Sequence, residues 1–317
     1  MTEAAGRITL WGVEVFVAAA EEGSVTAAAR RLDSSVATVS QQLTKLEVST
    51  GTTLLDRSSR PMRLTPAGEM FLRRANAILN EADQARAELA QANFSELTRF
   101  RLGMIEDFDA DVTPRLLAAM AEELTRCQFL LETGASHRLL DQLESRALDL
   151  VVAATPGTVP EGMEAHPILT EPFVAAAPRG WSAESLIQKP LIQYTSRHMM
   201  GRQIAAHLQQ EAVSLPQRFE LDSYHAILAM VAEGAGWAIL TPLGYRRAQR
   251  FLDRVTLHPL PLAPLSRSLS LITRRDILGD MPEGMAARLR GLATDLIIAP
   301  LVAEHPWLGE SFRVSAS

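Results

Sequence analysis

Residues Ser24 to Glu47 constrain the fold more than any other stretch, because they predict two short helices joined by a tight polar turn. Ser24 is a candidate N-cap for the first helix. The small apolar positions of that helix follow at helical spacing and are Val25, Ala28, Ala29 and Leu32. Asp33-Ser34-Ser35 then interrupts the pattern, because short polar side chains bond nearby backbone and favour turns. In the second helix the predicted buried stripe is Val39, Leu43 and Leu46.

The opposite face of the second helix is small, polar and almost uncharged. Such a face suits the base edges of a DNA major groove, where bulky side chains would hold the helix away. With the turn and one flanking cation, the candidate DNA-contacting residues are Ser34, Ser35, Val36, Ala37, Ser40, Gln41, Thr44 and Lys45. Helix pairs of this kind also occur in small helical domains with other functions, so the pair alone leaves that alternative open.

A basic loop follows the second helix and favours the DNA-binding interpretation. Arg57, Arg60 and Arg63 lie close together, opposed by the single carboxylate of Asp56. That composition is typical of a wing that grips the phosphate backbone. A merely solvated basic loop is the alternative, and its position directly after the helix pair argues against it.

The stretch from Leu10 to Glu69 resembles the DNA-binding region of LysR-type transcriptional regulators. The resembling segments, in order, are V-F-V-A-A-A-E-E-G-S-V-T-A-A-A-R-R-L, V-S-Q-Q-L-T-K-L-E, L-L-D-R and R-L-T-P-A-G-E. The later chain fits the same family to near its end. Val36, Ala37 and Leu55 stand where the family usually has Gln, Pro or Ser, and Phe. Val36 and Ala37 can still contact a thymine methyl group.

Thr65-Pro66 predicts the start of a long helix, with Thr as the N-cap and Pro in the first position. Its apolar residues form a heptad-like seam, interrupted by Arg86, at Leu72, Ala75, Leu79, Ala82 and Leu89. Packing of the seam against its own chain is one possibility. The resemblance instead implies pairing through this helix into a homodimer or a homotetramer (a dimer of dimers), on a roughly two-fold symmetric double-stranded DNA operator. RNA polymerase is a further implied partner.

From Phe100 short apolar strands alternate with amphipathic helices, which indicates a mostly parallel α/β sheet. The resemblance implies a two-lobed effector domain like those of periplasmic binding proteins, joined to the rest by a hinge at 93–99. The fold class is therefore α/β multidomain. The expected boundaries are 1–65 for a winged helix-turn-helix, 66–98 for the linker helix, 99–305 for the effector domain, and 306–317 for a tail. Lobe I takes about 99–164 and 267–305, and lobe II about 165–266.

Ligands of open α/β sheets bind beyond the carboxyl ends of strands, near helix N-termini, and the resemblance places the effector there too. The candidate effector-binding residues are Asp107, Phe108, Ser136, His137, Thr195, Ser196, Arg197, His198, Asp222 and Tyr224. Arg197 and His198 would suit a carboxylate. Acidic residues around Asp107 would instead favour an amine or a zwitterion. The sequence therefore leaves the ligand class open.

Composition limits the remaining alternatives. With a net charge of −6 the basic surface must be local, and the single cysteine, Cys127, excludes an internal disulfide. No leader or membrane-spanning run is evident, so we expect a cytoplasmic protein without membrane contact. An enzyme using Ser136-His137 is one alternative, but no nucleophile elbow, phosphate loop or metal-ligand cluster accompanies that pair. A solute-binding protein is another. We expect no catalytic residues, no metal, and no cofactor apart from a small-molecule effector.

Overall fold

The computed structural model describes residues 7–89, 97–155, 157 and 159–315, which form two compact units. The N-terminal unit is helical with a small wing, and the C-terminal unit is mixed α/β. Most of the predicted hinge at 93–99 lies outside the described residues, as do the side chains of Arg86 and Leu89 in the predicted seam. None of the described helices combines the length and hydropathy needed to cross a bilayer.

The N-terminal unit contains the predicted helix pair. Its elements are α1 (Leu10–Glu22), α2 (Val25–Arg31), α3 (Val36–Thr50), β1 (Leu55–Asp56), β2 (Arg63–Leu64) and α4 (Pro66–Leu89). The hydroxyl oxygens of Ser24 and Ser35 cap α2 and α3 by accepting from the amides of Ala27 and Thr38 at 3.4 and 3.0 Å. At its other end, α3 stops at Gly51, whose φ of 69° suits glycine.

The core of this unit buries the predicted stripe of α3. Val39, Leu43 and Leu46 are at most 3% exposed. From α4, Leu72 and Leu79 pack against the same core and Ala75 is part of it. The first half of the predicted seam therefore covers its own chain, because the core of three short helices is open on that side.

The C-terminal unit is assembled from many short elements. Its first half contains β3 (Arg99–Ile105), α5 (Val112–Glu123), β4 (Gln128–Gly134), α6 (Ser136–Glu144), β5 (Leu150–Ala154), β6 (Met163–Pro172) and β7 (Val174–Pro178). Its second half contains β8 (Leu191–Tyr194), α7 (Met199–Gln210), β9 (Gln217–Leu221), α8 (Tyr224–Ala232), β10 (Ala238–Leu240), α9 (Pro242–Arg247), β11 (Val255–Pro259), β12 (Ser266–Arg274), α10 (Met281–Ala293), α11 (Ala299–Glu304) and β13 (Arg313–Val314).

These elements form two lobes. Lobe I has a six-stranded sheet in the order β13-β6-β12-β5-β3-β4, in which β3 is parallel to β4 and β5. Lobe II has the antiparallel set β10-β7-β11 and the parallel pair β8-β9. The edge strand β13 comes from the segment expected to be a tail, and Leu308 and Phe312 beside it are buried. That segment therefore completes lobe I.

The chain passes between the lobes on two strands, β6 and β12, which pair antiparallel from Met163 opposite Arg274 to Pro172 opposite Ser266. β6 contains Pro167 and Pro172, and proline is unusual inside a strand, so the sequence alone argues against this element. Pro167 lies beside a register shift in this ladder, where a strand tolerates a residue that lacks an N–H. At the crossing itself the Phe173 amide donates to the Leu265 carbonyl at 2.7 Å.

Gly201 in α7 fixes how closely that helix approaches the end of β8. A Cβ at Gly201 would lie 2.0 Å from the carbonyl oxygen of Thr195, which is backbone and cannot rotate away. Gly291 in α10 is also helical, but a Cβ there would meet no atom of the described residues within 4 Å. Placing Ala at each of the two positions therefore distinguishes the cost of overpacking from the gain in helix propensity.

We expect Gly201→Ala to destabilise the C-terminal unit by about 1–3 kcal/mol, because overpacking forces backbone to move. Gly291→Ala is the matched control, and the better helix propensity of Ala should stabilise it by up to about 1 kcal/mol. Thermal unfolding of the full chain measures both. Equal unfolding temperatures for the two variants would contradict the close approach of α7.

Candidate DNA interface and effector cleft

The predicted base-reading face of α3 is open to solvent. Val36 is 46% exposed, and Ala37, Gln41, Thr44 and Lys45 are exposed as well. Two hydroxyl groups have local partners, since Ser35 caps α3 and Thr44 donates to the Ser40 carbonyl at 3.0 Å. Ser34 and Ser40 are half-buried at the edge of this surface. The face is available for contact, and its role in reading bases stays a prediction.

Glu47 connects α3 to the wing. One of its carboxylate oxygens accepts from the amides of Leu54 and Leu55 at 2.8 and 3.1 Å. The other accepts from the Arg57 guanidinium at 2.7 Å. Glu47 therefore partly neutralises the Arg57 charge. Arg57 has a structural role in addition to its predicted contact with phosphate.

The wing itself is organised by Asp56. Its carboxylate accepts hydrogen bonds from the backbone and hydroxyl of Ser58 and from the Ser59 hydroxyl, and these bonds lower the Asp56 pKa to about 2. Because Asp56 is engaged in the turn, the exposed Arg60 and Arg63 remain the cations best placed for phosphate. That assignment remains a prediction.

A cleft of about 90 Å³ lies between the lobes of the C-terminal unit. Six of the predicted effector-binding residues line it, namely Asp107, Ser136, His137, His198, Asp222 and Tyr224. The strand-end rule therefore located a cavity, as expected for an α/β sheet. Binding of an effector by these residues stays a prediction.

Four predicted residues do not line this cleft. Phe108 is fully buried in lobe I, because the turn after β3 directs it into the core. Thr195 is 1% exposed, and its hydroxyl donates to Glu220 at 2.7 Å. Ser196 and Arg197 are exposed, and the Ser196 amide and the Arg197 Nε are directed to Glu220 and Thr195 respectively. Arg197, the expected carboxylate grip, is therefore directed away from the cleft.

The floor of the cleft is an ionic cluster of the predicted Asp107 with Arg267 and Glu171, which the sequence did not point to. Arg267 Nη2 donates to Asp107 at 2.6 Å and Arg267 Nε donates to Glu171 at 2.7 Å. All three side chains are at most 9% exposed. Burial raises the Glu171 pKa to about 6; nearby Arg267 opposes this effect, and Asp107 adds to it. The two carboxylates therefore exceed the charge of the single guanidinium.

Aromatic rings form the wall above this floor. The rings of Tyr194 and Tyr224 lie 5.3 Å apart, and His198 is 5.7 Å from Tyr194 and 5.8 Å from His137. Burial, followed by the charges of Asp107 and Glu106, raises the Tyr194 pKa to about 12. Burial and the neighbouring His198 lower the His137 pKa. The cleft is thus aromatic and electrically negative.

The missed residues differ in how visible they were. Tyr194 immediately precedes the predicted segment at 195–198, so extending that segment by one residue would have found it. Arg267 lies at the start of the antiparallel β12, and the rule for the carboxyl ends of parallel strands does not reach it. Its signal was a lone arginine at a strand start, in the same lobe as the acidic residues that follow β3.

Ser136 has a structural role. Its hydroxyl oxygen accepts from the Ala154 amide at 2.9 Å, which fixes the start of α6 against the end of β5. His137 Nδ1 is buried and, within the described residues, has no hydrogen-bond partner. A nucleophile must be hydrogen-bonded to its base, so this pair does not have the geometry of an activated serine.

Two family models match the chain. The model for "Bacterial regulatory helix-turn-helix protein, lysR family" matches residues 10–69, and the model for the "LysR substrate binding domain" matches residues 95–280. The chain belongs to the LysR family of transcriptional regulators. Its N-terminal unit is the helix-turn-helix DNA-binding domain, and its C-terminal unit is the effector-binding domain.

Individual relatives agree with this assignment. The chain is 29% identical over 265 residues to the uncharacterised regulator YusT of Bacillus subtilis, covering 83% of this chain and 89% of YusT. A probable hydrogen peroxide-inducible genes activator of Mycobacterium xenopi is 37% identical over 54% of this chain and 90% of its own length. A full-length OxyR variant from Pseudomonas aeruginosa has the same fold, with a TM-score of 0.67 at 24% identity over 90% and 95% of the two chains.

Cys127, the single cysteine of the chain, is neither in the cleft nor activated for reaction. Cys127 lies at the start of β4, whereas the cleft is at the other end, about 20 Å away at the rise of a strand. Burial raises the Cys127 pKa to about 11, which keeps the thiol protonated and weakly nucleophilic. The names of the peroxide-inducible relatives are therefore no reason to assign a peroxide response to Cys127.

Substitution of Glu171 tests the ionic floor. Its folded pKa is raised from 4.5 to about 6, so its contribution to stability is present below pH 4.5 and is lost as the pH rises through 6. Glu171→Gln mimics the protonated form. We expect its unfolding free energy to gain on that of the wild type by on the order of 2 kcal/mol between pH 4.5 and 7.5.

Chemical denaturation across this pH range measures the difference. Glu161→Gln, at an exposed glutamate of the same unit, is the control and should run parallel to the wild type. A pH-independent gap between Glu171→Gln and the wild type would show that Glu171 is already ionised at pH 4.5.

Proposed function

We propose that this regulator binds a roughly two-fold symmetric operator as a homodimer, and that a small molecule in the interlobe cleft controls it. This proposal rests on one observation. The same chain contains an exposed, nearly neutral helix face, an arginine wing, and a two-lobed unit with a polar cleft. The neutral face suits base edges, and the arginines suit phosphates. The cleft has the position expected of a ligand site in an α/β fold.

The proposed homodimer forms through the remaining exposed apolar surface of α4. Met70 and Ile78 are 61% and 41% exposed, at positions two helical turns apart. Large apolar side chains at this spacing form a stripe that a second copy of the helix would cover. A two-fold dimer places two α3 helices on successive turns of DNA. Assembly into a dimer of dimers and contact with RNA polymerase rest on family membership alone.

The proposed effector carries an ammonium group. Among the described residues that line the cleft, Glu106, Asp107 and Asp222 are acidic and Arg267 is the one arginine, while Glu106 is also paired with Arg247 outside the cleft. Arg267 is already held between Asp107 and the buried Glu171, so it cannot neutralise an incoming carboxylate without breaking those pairs. The rings of Tyr194 and Tyr224 add the negative faces that attract an organic cation. An amine or a zwitterion fits this wall better than a simple anion.

The protein acts, in this proposal, by binding and not by catalysis. The one serine–histidine pair that the sequence suggested is used structurally, with Ser136 bonded to the Ala154 amide. The named relatives are transcriptional regulators. We accordingly propose no catalytic residue, metal or permanent cofactor for this protein.

Two substitutions in the DNA-binding unit should separate affinity from specificity. Arg60→Gln should weaken binding to all DNA sequences severalfold and reduce the salt slope by about 1, because it removes one phosphate contact. Gln41→Ala should change the preferred base at defined operator positions by about 1–3 kcal/mol. Fluorescence anisotropy over a salt series, on DNA selected from a random pool with the full chain, measures both.

Arg218→Gln in the C-terminal unit is the matched control for charge and should leave DNA binding unchanged. If Arg60→Gln altered preference at particular bases, the wing assignment would be wrong. If selection with Gln41→Ala returned the wild-type motif, Gln41 would leave the reading face.

A matched amine and acid test the sign of the cleft. We expect n-butylamine to raise the unfolding temperature of the full chain saturably at constant ionic strength, and n-butyrate to have no such effect. Asp222→Asn should weaken amine binding about fivefold, the effect of one charge at about 1 kcal/mol. Asp253→Asn, another exposed aspartate of lobe II, is the control. Stabilisation by butyrate alone would reverse the assignment.

A further inference from the structure

A second cavity, of about 300 Å³, lies between the lobes on the other side of Asp107. Its lobe II wall consists of α9, the turn that follows it, and the start of α8. Its lobe I wall consists of the segment after β3 and the π-helical turn at 294–298. The residues that line it are Asp107, Ala110, Asp111, His225, Leu243, Arg246, Arg247, Gln249, Arg250 and Ile297. Among the described residues, Asp107 is the one that lines both this cavity and the effector cleft.

Three arginines define the chemistry of this cavity. Arg247 is paired with Glu106 at 2.5 Å and lies 3.8 Å from Asp109. Arg246 Nε is 3.5 Å from Asp111 and, among the described residues, has no hydrogen-bond partner although it is buried. Arg250 stacks on the Phe251 ring at 4.6 Å and is exposed. Two of the three guanidinium groups therefore keep donors available for a ligand.

Among the described side chains that line the cavity, cations outnumber anions. Arg246, Arg247 and Arg250 face Asp107 and Asp111, and the Asp107 charge is already matched by Arg267 on the cleft side. Glu106 and Asp109 lie beside Arg247 without lining the cavity. Burial raises the Asp109 pKa, and burial with Arg247 and Arg250 lowers the His225 pKa. The neutral His225 ring leaves the arginines as the determining groups.

We propose that this second cavity binds a small oxyanion with at least two negative charges, gripped by Arg246 and Arg250 with Arg247 behind them. Guanidinium groups present planar pairs of donors that match the oxygens of a phosphate or a carboxylate. The volume admits a whole small anion with its own water, and Leu243 and Ile297 supply apolar walls. Such a site lies outside the cleft that was assigned to the cationic effector.

The two ligand sites would be coupled through their shared wall. The arginines belong to lobe II, and the carboxylates that hold Arg246 and Arg247 belong to lobe I, so a bound anion competes with contacts between the lobes. Asp107 and Arg267 separate the cavities, and a change in the lobe angle would move both groups. By linkage, an anion that alters effector affinity must itself be bound more or less tightly when effector is present.

Titration with inorganic phosphate tests the site. The full chain is titrated with phosphate or malonate at constant ionic strength, balanced with sodium chloride, and binding is measured by calorimetry and thermal shift. We expect saturable binding of at least one of the two anions, and the stronger of them identifies phosphoryl or carboxylate groups as the natural ligand. Arg250→Gln should weaken that binding about tenfold, the worth of one charge-assisted hydrogen-bond pair.

Arg250 is exposed, so its substitution should not affect folding, and Arg246→Gln should show a similar loss. Arg218→Gln is the matched control, because Arg218 is also an exposed lobe II arginine stacked on the phenylalanine that follows it. It should bind like the wild type. Absence of saturable binding, or equal affinity of Arg250→Gln and the wild type, would overturn the proposal whether or not the cleft binds an amine.

Discussion

The Arg267 guanidinium joins the two strands on which the chain passes between the lobes, and the C-terminal unit depends on that junction. Glu171 is near the end of β6 and Arg267 near the start of β12, where each strand leaves or enters lobe I. Asp107 brings the end of β3 to the same charge, and Thr241 at the start of α9 adds a contact from lobe II. The cluster is also bonded to lobe II through the Thr241 hydroxyl and the Leu243 amide, so it favours lobe arrangements that keep these two bonds.

Glu47 has a comparable place in the DNA-binding unit, where one carboxylate satisfies two backbone amides and an arginine. Because those amides open the wing, the position of the wing follows that of α3. The wing cations are thereby held at a fixed offset from the reading face, which is what a protein needs if phosphate contacts are to set the register of base contacts. In each unit a carboxylate thus connects separate elements. Glu47 joins α3 to the wing, and Glu171 joins β6 to β12 through Arg267.

Sequence reasoning was most successful where one element determined the answer. The stripe of Val39, Leu43 and Leu46 follows from helical period alone, and the strand-end rule led to Asp107, His137 and Tyr224 because parallel strands share an edge. It did not predict β6, because prolines argue against a strand there. It did not predict Arg267, because the partners of that residue are distant in sequence. Arg197 was misplaced because charge indicates a possible ligand, whereas the direction of the side chain depends on Thr195 and Glu220.

The opposite signs of the two interlobe cavities follow from a single arrangement of charge. Lobe I presents Glu106, Asp107, Asp109 and Asp111 on one short segment, and lobe II presents its arginines on α9 and the turn beyond. On the cleft side the acids face aromatic rings, so the potential is negative. On the far side three arginines line the cavity together with two aspartates. Any rotation of the lobes changes the contacts on both sides together, which makes the acidic segment after β3 the element through which a bound ligand can act on the whole unit.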